Sequence, residues 1–141
     1  LSCFEILAEQ KGIKVKTDIK HNGYINVDAE KLQRAILNLC NNALEILRED
    51  NTIEITCEAI DDRLQIKVRD DGPGLPEKII ENIFNPYVTC EKKGGTGLGL
   101  SIVKEIINEH QGAVTINPKL EKGAEFIITL PLKPSEAAST R

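Results

Sequence analysis

Apolar residues recur along this chain with two alternating periods, and the alternation predicts a sheet covered by helices. Ser2 to Gln10 reads as a helix closed by Gly12. Ile13, Val15, Thr17 and Ile19 then alternate with Lys14, Lys16, Asp18 and Lys20, which is the period-2 signature of a strand with one wet face. Asp28 is a suitable N-cap, and Leu32, Ala35, Ile36, Leu39, Ala43, Ile46 and Leu47 follow at helical spacing to about Arg48. Strands are expected at Thr52–Ala59 and Arg63–Arg69, joined by a tight turn at Ile60, Asp61 and Asp62. Pro76 starts a short expected helix to Ile83, since proline fits a first helical turn. Ile102, Val103, Ile106 and Ile107 mark another helix, with Gly112 as its C′ residue. Ala113–Asn117 and Ala124–Leu130 predict a final hairpin, and Lys133–Arg141 a frayed tail. No repeat or domain boundary interrupts the series. The expected architecture is one domain over residues 1–132, an α/β (α+β) two-layer sandwich whose mixed, largely antiparallel sheet is covered on one face by helices.

Composition narrows the class of protein without naming a chemistry. The 141 residues suffice for one well-packed core, and 40% hydrophobic with 28% charged residues is ordinary for a soluble globular domain. Eighteen Lys+Arg against 22 Asp+Glu give a net charge of −4 with no block of like charge, so neither nucleic acid nor an anionic membrane is an expected partner. No apolar run reaches a membrane span, and no signal-peptide layout is present. The chain starts at Leu1 and contains no Met, which reads as a fragment whose parent carries any sensor or membrane segments upstream. Cys3, Cys40, Cys57 and Cys90 are scattered, without zinc or disulfide spacing, and read as reduced, structural cysteines of a cytoplasmic protein.

Three signatures, in order, carry the chemistry. Asn38, Asn42 and Glu45 fall at i, i+4 and i+7 and so share a helix face away from the Leu/Ile stripe. An Asn pair on a helix is ordinarily a solvated face. Here Asn41 and Asn42 are mediocre helix formers inside a strong helix, and an Asn carbonyl is a hard ligand suited to Mg²⁺. Asp70-Asp71-Gly72-Pro73-Gly74 ends a strand. Alone it would be a surface turn. Read with the rest, Asp70 forms a pocket floor that accepts a hydrogen bond from an exocyclic amine, such as adenine N6, and Leu75 suits the flat face of a base. Gly94-Gly95-Thr96-Gly97-Leu98-Gly99-Leu100-Ser101 opens the last helix. It has Walker A spacing but Leu100 where that motif needs Lys, and it fails the dinucleotide fingerprint. What remains is a glycine-rich loop feeding a helix N-terminus, whose free N–H groups and positive dipole end favour phosphate over a mere linker role.

With these residues in place, the chain resembles the catalytic, ATP-binding domain of sensor histidine kinases, within the superfamily that includes gyrase, Hsp90 and MutL. Asn38–Glu45 resembles its N box, Asp70–Pro76 its first glycine box, Phe84-Asn85-Pro86-Tyr87 its F box and Gly95–Val103 its second glycine box. The resemblance runs from about Leu1 to Leu132. It implies the Bergerat ATP-binding fold, ATP and Mg²⁺ as cofactors, and a lid over roughly Phe84 to Gly97. Carried over by position, Asn42 binds Mg²⁺, Asn38 sits near the triphosphate, Asp70 meets the adenine amine, and backbone groups of Gly97, Leu98, Gly99 and Leu100 meet the phosphates. The remaining implied nucleotide contacts are Glu45, Gly72, Gly74, Leu75, Tyr87, Lys92, Lys93, Gly95 and Thr96.

Departures from the family pattern refine the reading. ATPases of the superfamily carry a Glu four residues before the Mg²⁺ Asn, where this chain has Asn38, which cannot act as a general base. That favours transfer over hydrolysis. Glu45 stands where many relatives have Lys or Arg, so the phosphate cation is expected from elsewhere, with Lys92 or Lys93 of the lid as candidates that equally fit solvated lid charges. Tyr87 replaces a commoner Phe, and Gly123-Ala124 stands where Thr or Ser is frequent. Neither His21, in a polar loop, nor His110, at a helix C-terminus, fits a phosphoacceptor. The acceptor is expected on upstream dimerisation helices, with a response regulator receiver domain downstream. The fragment itself is expected to be monomeric and its parent a homodimer. Competing readings are a gyrase-like ATPase, an anti-sigma-type serine kinase and a non-catalytic nucleotide-sensing module.

Overall fold

The computed structural model describes residues 2–20, 27–74, 84, 99–117 and 122–132. The expected helix over 76–83, His21, most of the F box, the glycine-rich loop up to Leu98 and the tail from Lys133 lie outside the described residues. Within them run α1 (Ser2–Gln10), β1 (Lys14–Ile19), α2 (Ala29–Ile46), β2 (Thr52–Ile60), β3 (Arg63–Asp70), α3 (Gly99–Glu109), β4 (Ala113–Ile116) and β5 (Glu125–Pro131).

The sheet has the order β1-β2-β3-β5-β4. β1 and β2 run parallel, as a crossover through α2 permits, and every other pair is antiparallel. The expected two-layer α+β sandwich with a largely antiparallel sheet is therefore present. Alternation places Ile53, Ile55, Leu64, Ile66, Val68, Phe126, Ile128 and Leu130 on one face, where they are buried with Leu39, Cys40, Val103 and Ile107 of the helices. Each such side chain withdrawn from water contributes about 1.5–3 kcal/mol against the entropy of ordering the chain. The opposite face carries a cross-strand row of alternating sign: Lys16 pairs with Glu54, Glu54 with Arg69, and Arg69 with Glu125.

Local chemistry ends the elements where the sequence predicted, with two adjustments. α1 closes on Gly12 at φ 75, with Gly12 N–H on Glu9 O at 3.0 Å and Ile13 N–H on Ala8 O at 2.9 Å. α3 closes with the same bond pattern, but its left-handed residue is Gln111 at φ 60, not Gly112. Gly112 serves close packing instead: a Cβ there would fall 2.3 Å from Thr129 O and 2.8 Å from Leu130 Cδ2. β1 is an edge strand, and only Val15 of its residues is half-buried; Ile19 is 60% exposed. The expected inward face of this strand is thus only partly covered.

α2 and α3 pack on each other, pinned where the former starts and the latter ends. Asp28 caps α2 by accepting the Lys31 N–H at 3.1 Å, and its own N–H donates to His110 Nε2 at 3.0 Å. His110 Nδ1 lies 2.8 Å from Ile106 O. An Nε2 that accepts the Asp28 N–H leaves Nδ1 as the nitrogen that donates to Ile106 O. His110 is thus a link between the two helices. Antiparallel packing follows, and it brings the N-terminus of α3 toward the C-terminal half of α2.

Candidate functional site

α2 buries Ala35, Leu39, Cys40, Ala43 and Leu44 in the core. Asn38 and Asn42 are half-buried on another face and Glu45 is exposed, so the shared face expected from spacing is formed. Asn38 and Asn41 line a groove of 350 Å³ with Glu30, Gln33, Arg34 and Leu37.

Asp70 ends β3 opposite Ile53 and is only 5% exposed. Its Oδ1 accepts the Gly72 N–H at 2.9 Å and the Ala124 N–H at 3.3 Å, while its own N–H donates to Ala124 O at 2.9 Å. These bonds fix the rotation of the carboxylate. Burial pushes its pKa above the ordinary carboxylate value, and the nearby Asp71 charge adds to the rise; the two amides act the other way. A buried carboxylate held by one oxygen is suited to accepting a ligand hydrogen bond with the other.

The glycines around Asp70 divide the work. A Cβ on Gly72 would lie 2.3 Å from Leu47 Cδ2, so a side chain there would have to displace Leu47, on which the turn seats. Gly74 takes φ 81 and packs on Gly123 O. Gly123, at φ 80, would place a Cβ 1.9 Å from Asp70 O. The Gly123-Ala124 segment thus belongs to the site through its backbone, a contribution no side-chain pattern announced. Leu47, Asn51 and Asp71 also went unpredicted. Asp71 Oδ1 accepts from Thr52 N–H at 2.8 Å and Asn51 Nδ2 at 3.1 Å, and Asn51 Oδ1 accepts the Arg48 N–H at 2.8 Å.

Gly99 opens α3, and the Leu100 side chain is buried in the core, which leaves backbone as what these two residues offer a ligand. Phe84 packs edge-on against Phe126, with ring centroids 6.1 Å apart and planes at 79°. Leu75, Tyr87, Lys92, Lys93, Gly95, Thr96, Gly97 and Leu98 lie outside the described residues.

This arrangement has a counterpart among known proteins. A family profile described as "Histidine kinase-, DNA gyrase B-, and HSP90-like ATPase" matches residues 27–134. The chain belongs to that family. Among curated relatives, Sporulation kinase A of Bacillus subtilis is 35% identical over 92% of this chain and 21% of its own length. Hybrid signal transduction histidine kinase D of Dictyostelium discoideum is 39% identical over 95% of this chain and 9% of its own length. The chain therefore spans less than a quarter of the length of each of these two relatives. Among solved structures, the catalytic domain of histidine kinase ThkA superposes with a TM-score of 0.84 at 29% identity, covering 93% of this chain and 86% of that one. A second structure, histidine kinase ThkA in complex with response regulator protein TrrA, matches with a TM-score of 0.80 and 29% identity over 96% of this chain and 39% of that one.

Within this histidine kinase, gyrase and HSP90-like ATPase family domain, the two best-described site elements are the Asn38/Asn42 face of α2 and the Asp70 turn. Leu47 joins them physically, because α2 ends directly under Gly72. Among the described residues no helix is long and apolar enough to cross a membrane, and no group of three His, Cys, Asp or Glu side chains could hold a metal. Of the cysteines, Cys40 and Cys57 are free thiols, as expected.

Proposed function

We propose that the chain is the ATP-binding catalytic domain of a sensor histidine kinase, which delivers the γ-phosphate of ATP to a histidine on dimerisation helices of its parent. The observation that carries this reading is Asp70. A buried carboxylate, oriented by two amides at a strand end and seated on the helix that bears Asn38 and Asn42, is equipped to read an exocyclic amine. A guanine carbonyl at that point would face it with a second acceptor.

The donor set on α2 fits Mg²⁺ only in company with phosphate. Asn42 offers an amide oxygen, a hard neutral ligand, and the ion prefers one or two protein oxygens completed by phosphates and water. Bound there, Mg²⁺ would neutralise charge on the phosphates. Asn38 lies one turn earlier, has no basic group to activate water, and so disfavours hydrolysis of the bound nucleotide. Gly99 opens α3, and the positive end of that helix favours the phosphates of the bound nucleotide. Lys92 or Lys93 supplies the cation that Glu45 does not. The domain's contribution is then positioning and charge stabilisation for in-line attack by a neutral imidazole, so no strong base is required of it. The kinship to a kinase solved with its response regulator supports a receiver domain as the next acceptor.

Calorimetric titration with ADP and GDP, with Mg²⁺ or EDTA, tests the reading. ADP should bind and GDP should not. Asp70→Asn should weaken ADP about 10–100-fold, the worth of a hydrogen bond to a charged group. Asn42→Ala should abolish the gain in affinity from Mg²⁺ while leaving ADP binding in EDTA intact. Equal binding of GDP would overturn the assignment. Transfer from ATP to a supplied histidine-bearing helical domain, giving acid-labile phosphate, separates a kinase from an ATPase or a silent sensor.

A further inference from the structure

The two ends of the proposed nucleotide site sit on different elements, and something must hold their spacing. Asp70 ends a strand; Asn42 lies on α2, five residues before Leu47 and so about 7.5 Å along the helix axis from its end. Where α2 stops, Asn51 spans the gap. Its Oδ1 accepts the N–H of Arg48, the residue just past the C-cap, at 2.8 Å. Its Nδ2 donates to Asp71 Oδ1 at 3.1 Å and approaches Asp71 O at 3.4 Å. The same Asp71 oxygen accepts the Thr52 N–H at 2.8 Å. One amide side chain therefore ties the end of the metal-bearing helix to the residue next to the base-reading carboxylate. The turn is anchored independently, through Asp50 N–H on Gly12 O at 2.9 Å and Lys14 N–H on Asn51 O at 3.0 Å.

We propose that Asn51 is a positioning residue, which through Asp71 sets the distance between the base-reading end and the metal-binding end of the nucleotide site. The proposal rests on the reading of Asp70 and Asn42 as those two ends. Contact with ligand is not its role. A nucleotide that must satisfy both ends at once is sensitive to ångström-scale shifts between them, whereas one held by its base alone is not.

The test compares Asn51→Ala with the unaltered chain by calorimetry, using ADP with Mg²⁺ and ADP in EDTA. The Arg48 N–H that loses its partner is exposed and can turn to water, so the variant keeps its fold, which a melting curve verifies. Affinity for ADP with Mg²⁺ should fall about tenfold, and affinity in EDTA should change less than twofold. Asp71→Asn, which retains an oxygen acceptor, should leave the Mg²⁺ gain unchanged, and Asp71→Ala should reproduce the loss. Equal losses with and without metal, or no loss, would overturn the proposal. If Asn42→Ala fails to remove the Mg²⁺ gain, the two-ended site itself is wrong; if it succeeds while Asn51→Ala has no effect, only the positioning role falls.

Discussion

Asp70 concentrates the cost and the use of a buried charge in one residue. Its carboxyl is held above the ordinary value of 3.8, mainly by burial. The folded chain thus binds this proton more tightly than the unfolded chain, and the residue's contribution to stability declines as pH rises from 3.8 through the raised pKa. Above that window the penalty is constant. Asp70→Asn keeps an oxygen for the Gly72 and Ala124 amides and removes the charge. The nucleotide-free variant should therefore melt higher than the parent at pH 7, with the difference shrinking as pH is lowered toward 3.8. Melting curves from pH 4 to 7 check the sign. A site that traded stability for recognition would gain in the first assay and lose in the ADP titration; a carboxylate held only for structure would lose in both.

At the scale of elements, the segment between β4 and β5 is where the site depends on a position that the sequence pattern undervalued. Gly123→Ala would force a side chain into φ 80 and into Asp70 O, 1.9 Å away. The expected cost is about 2 kcal/mol or more, with Asp70 displaced, because the obstacle is backbone and cannot rotate aside. Denaturant titration measures the first effect and ADP affinity the second. This glycine also shows what periodicity can and cannot convey. The helices and strands were legible because apolar residues repeat at 3.6 and 2, and the α2 face because Asn38, Asn42 and Glu45 keep helical spacing. Asp70 was legible as the strand-end residue before Asp71-Gly72-Pro73-Gly74, a run that alone reads as a surface turn and takes a pocket reading only beside the other two signatures. The Ala124 amide, the Leu47–Gly72 seat and the Asn51 bridge were not, since each depends on which strand lies beside β3 and where α2 stops. His110 was visible as a helix-end residue, but its partner is 82 positions away. Long-range partners have no local signature.

Over the whole molecule, the core lies between one face of the sheet and the helices, and Cys40 reports on its closure. The residue is fully buried on α2, and burial pushes its thiol up to about 12 from the ordinary 9.0. Thiolate is the reactive form, so alkylation near pH 8 must await exposure of the thiol by opening of the core. The folded chain holds this proton more tightly than the unfolded one, so the thiol's contribution to stability falls as pH rises from 9.0 toward about 12. Cys57 is only half-buried, with a pKa also raised by burial, and provides an internal comparison on the sheet. If ADP with Mg²⁺ binds only the closed chain, it should slow Cys40 labelling by one plus the ratio of free ligand to Kd, about 100-fold at a hundred times Kd. Peptide mass spectrometry resolves each site. Protection at Cys40 that follows this relation with ADP, and is missing with GDP, ties the discrimination at Asp70 to the stability of the entire fold. Labelling of Cys40 at a rate indifferent to ADP would mean that the openings exposing it leave the nucleotide site intact.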